Sequence, residues 1–135
     1  RIKDIMTLGS WAVIDIETTG VSPANDEIID VGFLQFEGTK LVRTFSSLVR
    51  AQNPVSSFIT KLTSITNDQL KNAPSWDQVE IEVMSLEGHA LLAHNANFEK
   101  SFLERYFERL PKNGDRETYQ DSMFYLALLF PESAT

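Results

Sequence analysis

The chain has 135 residues, enough for one domain with a real core and too few for two. Nineteen acidic against twelve basic residues give a net charge of −7, which argues against broad electrostatic attachment to duplex nucleic acid but not against an enzyme that meets phosphate through a bound metal. The absence of cysteine excludes disulfides, zinc–thiolate sites and thiol catalysis; no apolar run is long enough to cross a membrane or to act as a signal peptide, so a cytoplasmic protein with no membrane partner is expected.

Residues 1–10 form a lead-in, and because the first residue is Arg1 rather than Met the sequence is expected to be part of a longer chain. Trp11 to Glu17 reads as a buried strand and Thr18 to Asp26 as a loop, with Gly20, Pro23 and Asn25 as turn formers. Glu27 to Phe36 is a second strand. The tight turn Glu37-Gly38-Thr39 leads into a third, Lys40 to Val49, so strands two and three make an antiparallel hairpin and strand two lies antiparallel to strand one. After Pro54 the period changes: Phe58, Leu62 and Ile65 recur at i, i+4 and i+7 and predict a helical face.

Thr66 to Gln69 and Ser75 to Gln78 have the form of capping boxes. The second opens a helix to about Leu86, with Trp76, Val79, Val83 and Leu86 on one side and Gly88 past its end. Ala90 to Ala93 is a short inner strand. A helix from Asn97 to Leu110 carries the stripe Phe98, Phe102, Tyr106 and Leu110. Pro111 to Arg116 reads as a loop, Glu117 to Asp121 as a strand, and Ser122 to Phe130 as a last helix stopped by Pro131. Strands in a meander followed by alternating helices and strands predict an α/β domain with helices packed on a mixed sheet.

Two acids interrupt the first strand. Asp15 and Glu17, two residues apart, project from the same face near the strand's carboxyl end, with Ile14 and Ile16 on the other. Like charges this close repel, and an oxygen-seeking divalent ion such as Mg²⁺ or Mn²⁺ resolves the conflict; the competing reading is an edge strand whose acids simply face water. Glu99 falls in the first turn of the helix after strand four. If strand four lies parallel to strand one, that turn opens at the same end of the sheet, where open α/β sheets place their sites. Acids in a first turn also interact favourably with the helix dipole and need do nothing else. His94 suits a satisfied strand-end histidine, and His89 an exposed loop.

The stretches Asp15-Ile-Glu-Thr-Thr-Gly20, His94-Asn-Ala-Asn-Phe-Glu99 with Phe102-Leu103 behind it, and Asp121-Ser-Met resemble the DnaQ-like 3′–5′ exonucleases of the DEDDh group, from about Trp11 to Phe130. This group includes the proofreading epsilon subunit of bacterial DNA polymerase III and the exonuclease domains fused to some helicases. The resemblance implies a ribonuclease H-like fold with sheet order 3-2-1-4-5 and strand two antiparallel. It implies two Mg²⁺ or Mn²⁺ ions held by four acids beside a histidine general base, acting on the 3′ end of single-stranded nucleic acid in replication or repair, with polymerase or helicase components as partners. It assigns metal binding and catalysis to Asp15, Glu17 and Glu99. It sets Thr18 and Thr19 against the terminal nucleotide through backbone groups, gives Asn95 the turn that presents residue 99, and makes Asp121 structural.

Three departures accompany the resemblance. Glu99 stands where the family has Asp, and Thr63-Ser64-Ile65-Thr66 where it often has His-Gly-Ile before its Thr. The family's last motif, His followed by four residues and Asp, has no counterpart after Asp121. The chain is therefore expected to lack the C-terminal part of the domain and to be nearly inactive by itself, its parent being the exonuclease. Two other classes stay open: a degenerate exonuclease fold serving as a binding or scaffold module, and a haloacid-dehalogenase-type phosphatase, whose Asp-x-Asp is not met by Glu17.

Overall fold

The computed structural model describes Thr7, residues 9–107 and residues 126–128. Its sheet is built from β1 (Ser10–Thr18), β2 (Ile28–Glu37), β3 (Lys40–Leu48) and β4 (Ala90–Ala93) in the order β3-β2-β1-β4. β2 is antiparallel to both neighbours, and β4 runs parallel to β1. The helices are α1 (Ser57–Thr63), α2 (Asn67–Lys71), α3 (Trp76–Met84) and α4 (Ala96–Phe107). The three long strands, the short strand Ala90 to Ala93 and the helix expected from Ser75 are found within two residues of their expected ends, and α4 starts one residue before its expected start.

Leu126–Leu128 form a short strand, β5, parallel to the outer side of β4, where the sequence suggested a helix over Ser122 to Phe130. That run is apolar at nearly every position, and such a run cannot be assigned to helix or strand by period. The predicted end of α4 beyond Phe107, the loop Pro111 to Arg116, the strand Glu117 to Asp121 and the rest of the last helix lie outside the described residues.

Alternation decides which side of β1 is buried. Ala12, Ile14 and Ile16 are inside and pack with Val31 and Phe33 of β2, with Trp76, Val79 and Val83 of α3, and with Phe102, Leu103 and Tyr106 of α4. Each large apolar side chain removed from water here contributes roughly 1.5–3 kcal/mol. Ile28 and Ile29 open β2 fully buried. The backbone N–H of Ile28 lies beside an irregularity in the β1–β2 ladder between Glu17 and Thr18, and it donates to Tyr106 Oη at 2.8 Å. Tyr106 in turn sits edge-on to Trp76 with ring centroids 4.7 Å apart, so one side chain joins both helices to the start of β2. At the other end of β1, Trp11 stacks on Phe36 at 4.2 Å and donates through Nε1 to Gly38 O at 2.7 Å.

α1 corrects one expectation. Phe58 and Leu62, read as its inner face, are 68% and 70% exposed, while Ile59 is buried with Ile29, Val55, Ile65 and Leu70. The helix ends at Ser64, whose left-handed backbone (φ 66°, ψ 12°) redirects the chain. Ile65 therefore leaves the helical phase, and the i, i+4, i+7 pattern does not describe one surface. Both capping boxes are present: Thr66 and Gln69 exchange bonds, and Gln78 Oε1 accepts from Ser75 N. His89 is also not a loose loop residue. Its Nε2 stands 3.1 Å from Gln35 Nε2, and Gln35 Oε1 accepts from Arg43, which reaches Glu82 on α3.

Candidate active site at the carboxyl end of β1

The β1–β4 ladder covers only Trp11, Ala12 and Val13, facing Ala90, Leu91 and Leu92. Beyond Val13, β1 keeps β2 on one side and opens on the other. Asp15 and Glu17 occupy this open end, both exposed and on the face opposite Ile14 and Ile16, as alternation required. β1 is interior to the sheet over Trp11 to Val13, but at Asp15 and Glu17 it is paired on the β2 side alone and both acids face solvent. Across the ladder, Asp15 faces Gly32 and Glu17 faces Asp30. Directly opposed residues of an antiparallel pair have Cβ atoms about 4.5–5.5 Å apart on one face. Asp30 was missed in the sequence because it is a single acid in a strand read from its apolar residues, Ile28, Ile29, Val31, Phe33, Leu34 and Phe36. Only the hairpin register places it beside Glu17.

Glu99 comes from the first turn of α4. The carbonyl of Asn95 accepts the N–H groups of Phe98 and Glu99 at 2.9 and 3.2 Å, so Asn95 closes the turn that presents residue 99 through its backbone. The Glu99 side chain is buried, 3% exposed, and its Oε1 has no hydrogen-bond partner. Burial pushes its carboxyl up to about 7; contact with its own backbone amide opposes this, and the charges of Asp15 and Glu17 add to it. An acid placed only to complement a helix dipole would be solvated and held down in pKa; Glu99 behaves in the opposite way. Burial raises Glu17 as well, helped by Asp15 and Asp30. Asp30 is raised by burial and by Asp15 against a bond from the Val31 backbone. The carboxylates thus share one electrostatic field at one end of the sheet.

The loop after β1 is braced from within. Thr18 is buried on the core side and donates through Oγ1 to Gly20 O at 2.5 Å. The N–H of Thr19 donates to Glu27 O at 2.9 Å, and its hydroxyl accepts from Glu27 N at 2.9 Å. The Thr19 amide is therefore already used, which leaves its carbonyl as the backbone group for any contact with a nucleotide. Asp26 Oδ2 accepts from Ser22 N at 2.9 Å, and its carboxylate lies so close to Gly20 that a Cβ there would stand 2.6 Å from Asp26 Cγ. A side chain at position 20 would push the brace apart. His94 is exposed at the end of β4.

Among the described residues, no group of three His, Asp or Glu side chains is gathered closely enough to hold a metal ion as it stands. None of Asp15, Glu17, Asp30 and Glu99 has an ion-pair partner among those residues either. Hard carboxylate oxygens without a cation, one of them buried and unpartnered, suit Mg²⁺ or Mn²⁺ in donor chemistry. Asp121 lies outside the described residues.

Residues 12–135 match the family model described as Exonuclease, of the RNase_T type. The chain belongs to this exonuclease family. A PolC-type DNA polymerase III of Caldanaerobacter subterraneus subsp. tengcongensis is 45% identical over 103 residues, 76% of this chain and 7% of that protein. The 3′–5′ exonuclease DinG of Staphylococcus saprophyticus is 30% identical over 122 residues, 90% of this chain and 14% of that protein. The exonuclease domain thus spans a small part of these relatives' length. Among solved structures, the nuclease domain of 3′hExo, a DEDDh family member bound to rAMP, superposes with a TM-score of 0.62 at 26% identity, covering 78% of this chain and 62% of that one. Exonuclease I shares the fold at a TM-score of 0.67 and 15% identity, over 76% of this chain and 25% of that one. The family reading of the motifs is the one these likenesses support; no likeness favours a phosphatase or a scaffold.

Proposed function

We propose that this exonuclease domain shortens single-stranded nucleic acid from its 3′ end, with Asp15, Glu17 and Glu99 holding Mg²⁺ or Mn²⁺, two ions in the complete domain. The observation that carries this reading is Glu99: a buried carboxylate with an unpartnered oxygen, electrostatically coupled to two acids on the neighbouring strand. Ions bound there would supply the charge that stabilises both the attacking and the leaving oxygen of a phosphodiester. The chain's own residues hold that charge and shape the site. Asp15 and Glu17 present oxygens from an interior strand, Asn95 sets the angle of α4, and the Thr19–Asp26 brace fixes the loop in which Thr18 and Thr19 border the terminal nucleotide. In this reading β5 completes a five-stranded ribonuclease H-like sheet.

The same reading places the parent protein in the cytoplasm, in DNA replication or repair, beside polymerase or helicase components; the DNA polymerase III among its relatives supports the polymerase part. The 135 residues contain only His89 and His94. His89 is bonded to Gln35, and His94 belongs to the motif that supplies Glu99, so no family-type general base is in hand and turnover by these residues alone is slow.

Calorimetric titration with Mn²⁺ tests the reading, with Asp15→Ala as control. Saturable binding that is lost in Asp15→Ala is expected. No binding at millimolar Mn²⁺, or equal binding by the variant, would overturn the metal assignment. A nuclease assay showing rapid digestion of a single-stranded oligonucleotide by the 135-residue chain would overturn the statement about turnover.

A further inference from the structure

Asp30 is the acid at this end of the sheet that belongs to neither motif. It stands directly across the ladder from Glu17 and one step from Asp15, whose own partner, Gly32, brings no side chain. Like charges placed directly opposite on a sheet are unfavourable. Among the described residues no cation relieves them: Asp30 has no ion-pair partner there, nor do Asp15 and Glu17, and Asp30 is helped only by a bond from the Val31 backbone. Beside the open edge of β1, the buried Oε1 of Glu99 is unpartnered. A strand pair that keeps an unfavourable opposition next to an orphaned buried oxygen is organised around a positive charge, and none of the described residues supplies it.

We infer that Asp30 is a positioning residue for the divalent cation: it holds the Glu17 carboxylate toward Asp15 and the open edge of β1, and its charge strengthens cation binding without making it a ligand in its own right. The inference rests on the metal reading above and adds to it a residue from β2. The contrast between Gly32 and Asp30 supports it. The position opposite Asp15 is left clear, while the position opposite Glu17 carries the charge that confines it.

The test uses the 135-residue chain with Mn²⁺ itself as probe. Bound Mn²⁺ is counted by electron paramagnetic resonance, and melting is followed with and without the ion, for wild type, Asp30→Asn, Asp30→Ser and Asp15→Ala. Supporting shells of metal sites typically contribute about ten- to a hundredfold in affinity. Asp30→Asn is expected to raise the Mn²⁺ dissociation constant by roughly tenfold or more, while the metal-free melting temperature stays the same or rises because a like-charge opposition is gone. Asp30→Ser, which also removes the charge, gives the same direction. Binding within twofold of wild type in both Asp30 variants, with loss in Asp15→Ala, overturns this inference alone. A wild-type chain that binds no Mn²⁺ overturns it together with the metal reading. A fall in metal-free melting temperature in both Asp30 variants overturns it too, because it marks Asp30 as a structural residue.

Discussion

Replacing Glu99 by Gln converts the buried carboxyl into a neutral group of the same shape and should make the domain more stable at alkaline pH. The Glu99 carboxyl lies near 7 in the folded chain against an ordinary value of 4.5, because burial disfavours the charged form. A carboxyl raised in the folded state binds its proton more tightly there than in the unfolded chain. Its favourable contribution is complete below the unfolded value and is lost as pH rises through the folded one. The gap of roughly 2.5 pKa units, at 1.36 kcal/mol each, sets a ceiling of about 3 kcal/mol, of which some 2–3 kcal/mol should vanish between pH 5 and pH 8. Urea unfolding in the presence of a chelator, at half-unit pH steps, measures this directly. The Glu99→Gln variant should exceed wild type by about 2–3 kcal/mol at pH 8, and the two should differ by less than about 1 kcal/mol at pH 5. Parallel stability curves across that range would refute the reasoning, because the pH dependence contributed by Glu17 and Asp30 is common to both chains.

Tyr106→Phe keeps the ring against Trp76 but leaves the buried Ile28 N–H without its acceptor. It should cost about 1–3 kcal/mol in urea unfolding, and a change below about 0.5 kcal/mol would mean that water or another group takes the place of the hydroxyl. Ser64→Gly should act in the other direction. Ser64 holds a left-handed backbone that costs a side-chain-bearing residue roughly 1–2 kcal/mol, so glycine should gain about 0.5–1 kcal/mol after its larger unfolded-state entropy is counted. A melting temperature equal to or below that of wild type would show that the Ser64 side chain contributes more than its backbone strain costs.

Much of the fold was legible because its signals are local. Alternation in Trp11 to Glu17 separated Ile14 and Ile16 from Asp15 and Glu17, and the chain's periods and caps found α3 and α4. The inner side of α1 was not legible. The sequence offers Phe58 and Ile59 next to each other, and which one is buried depends on a turn at Ser64 whose residue type does not advertise a left-handed conformation. Asp15, Glu17 and Glu99 could be brought together on paper by placing strand four beside strand one. Asp30 could not, because a one-residue slip of the β1–β2 register would send it to the other face. The burial of Glu99 was equally out of reach: it depends on how deeply the first turn of α4 sits against the sheet, a tertiary property that first-turn acids in general do not share. His89 shows the same limit, since its neighbours Gln35 and Glu37 are distant in sequence.

The short β1–β4 ladder has a consequence for the order in which the molecule assembles. β1, β2 and β3 are consecutive and joined by a nine-residue loop and a tight turn, so their pairing closes small loops and can proceed early. Pairing Trp11 with Ala90 requires the whole intervening chain to be bridged, a larger entropic demand that is met by only three residue pairs. Asp15, Glu17 and Asp30 therefore come together with the hairpins, while Glu99 arrives with the crossover. Desolvating that last acid is deferred to the docking of β4 and α4, the same step that brings Leu91, Phe102, Leu103 and Tyr106 into the core, so burial of the acid and completion of the core are one event.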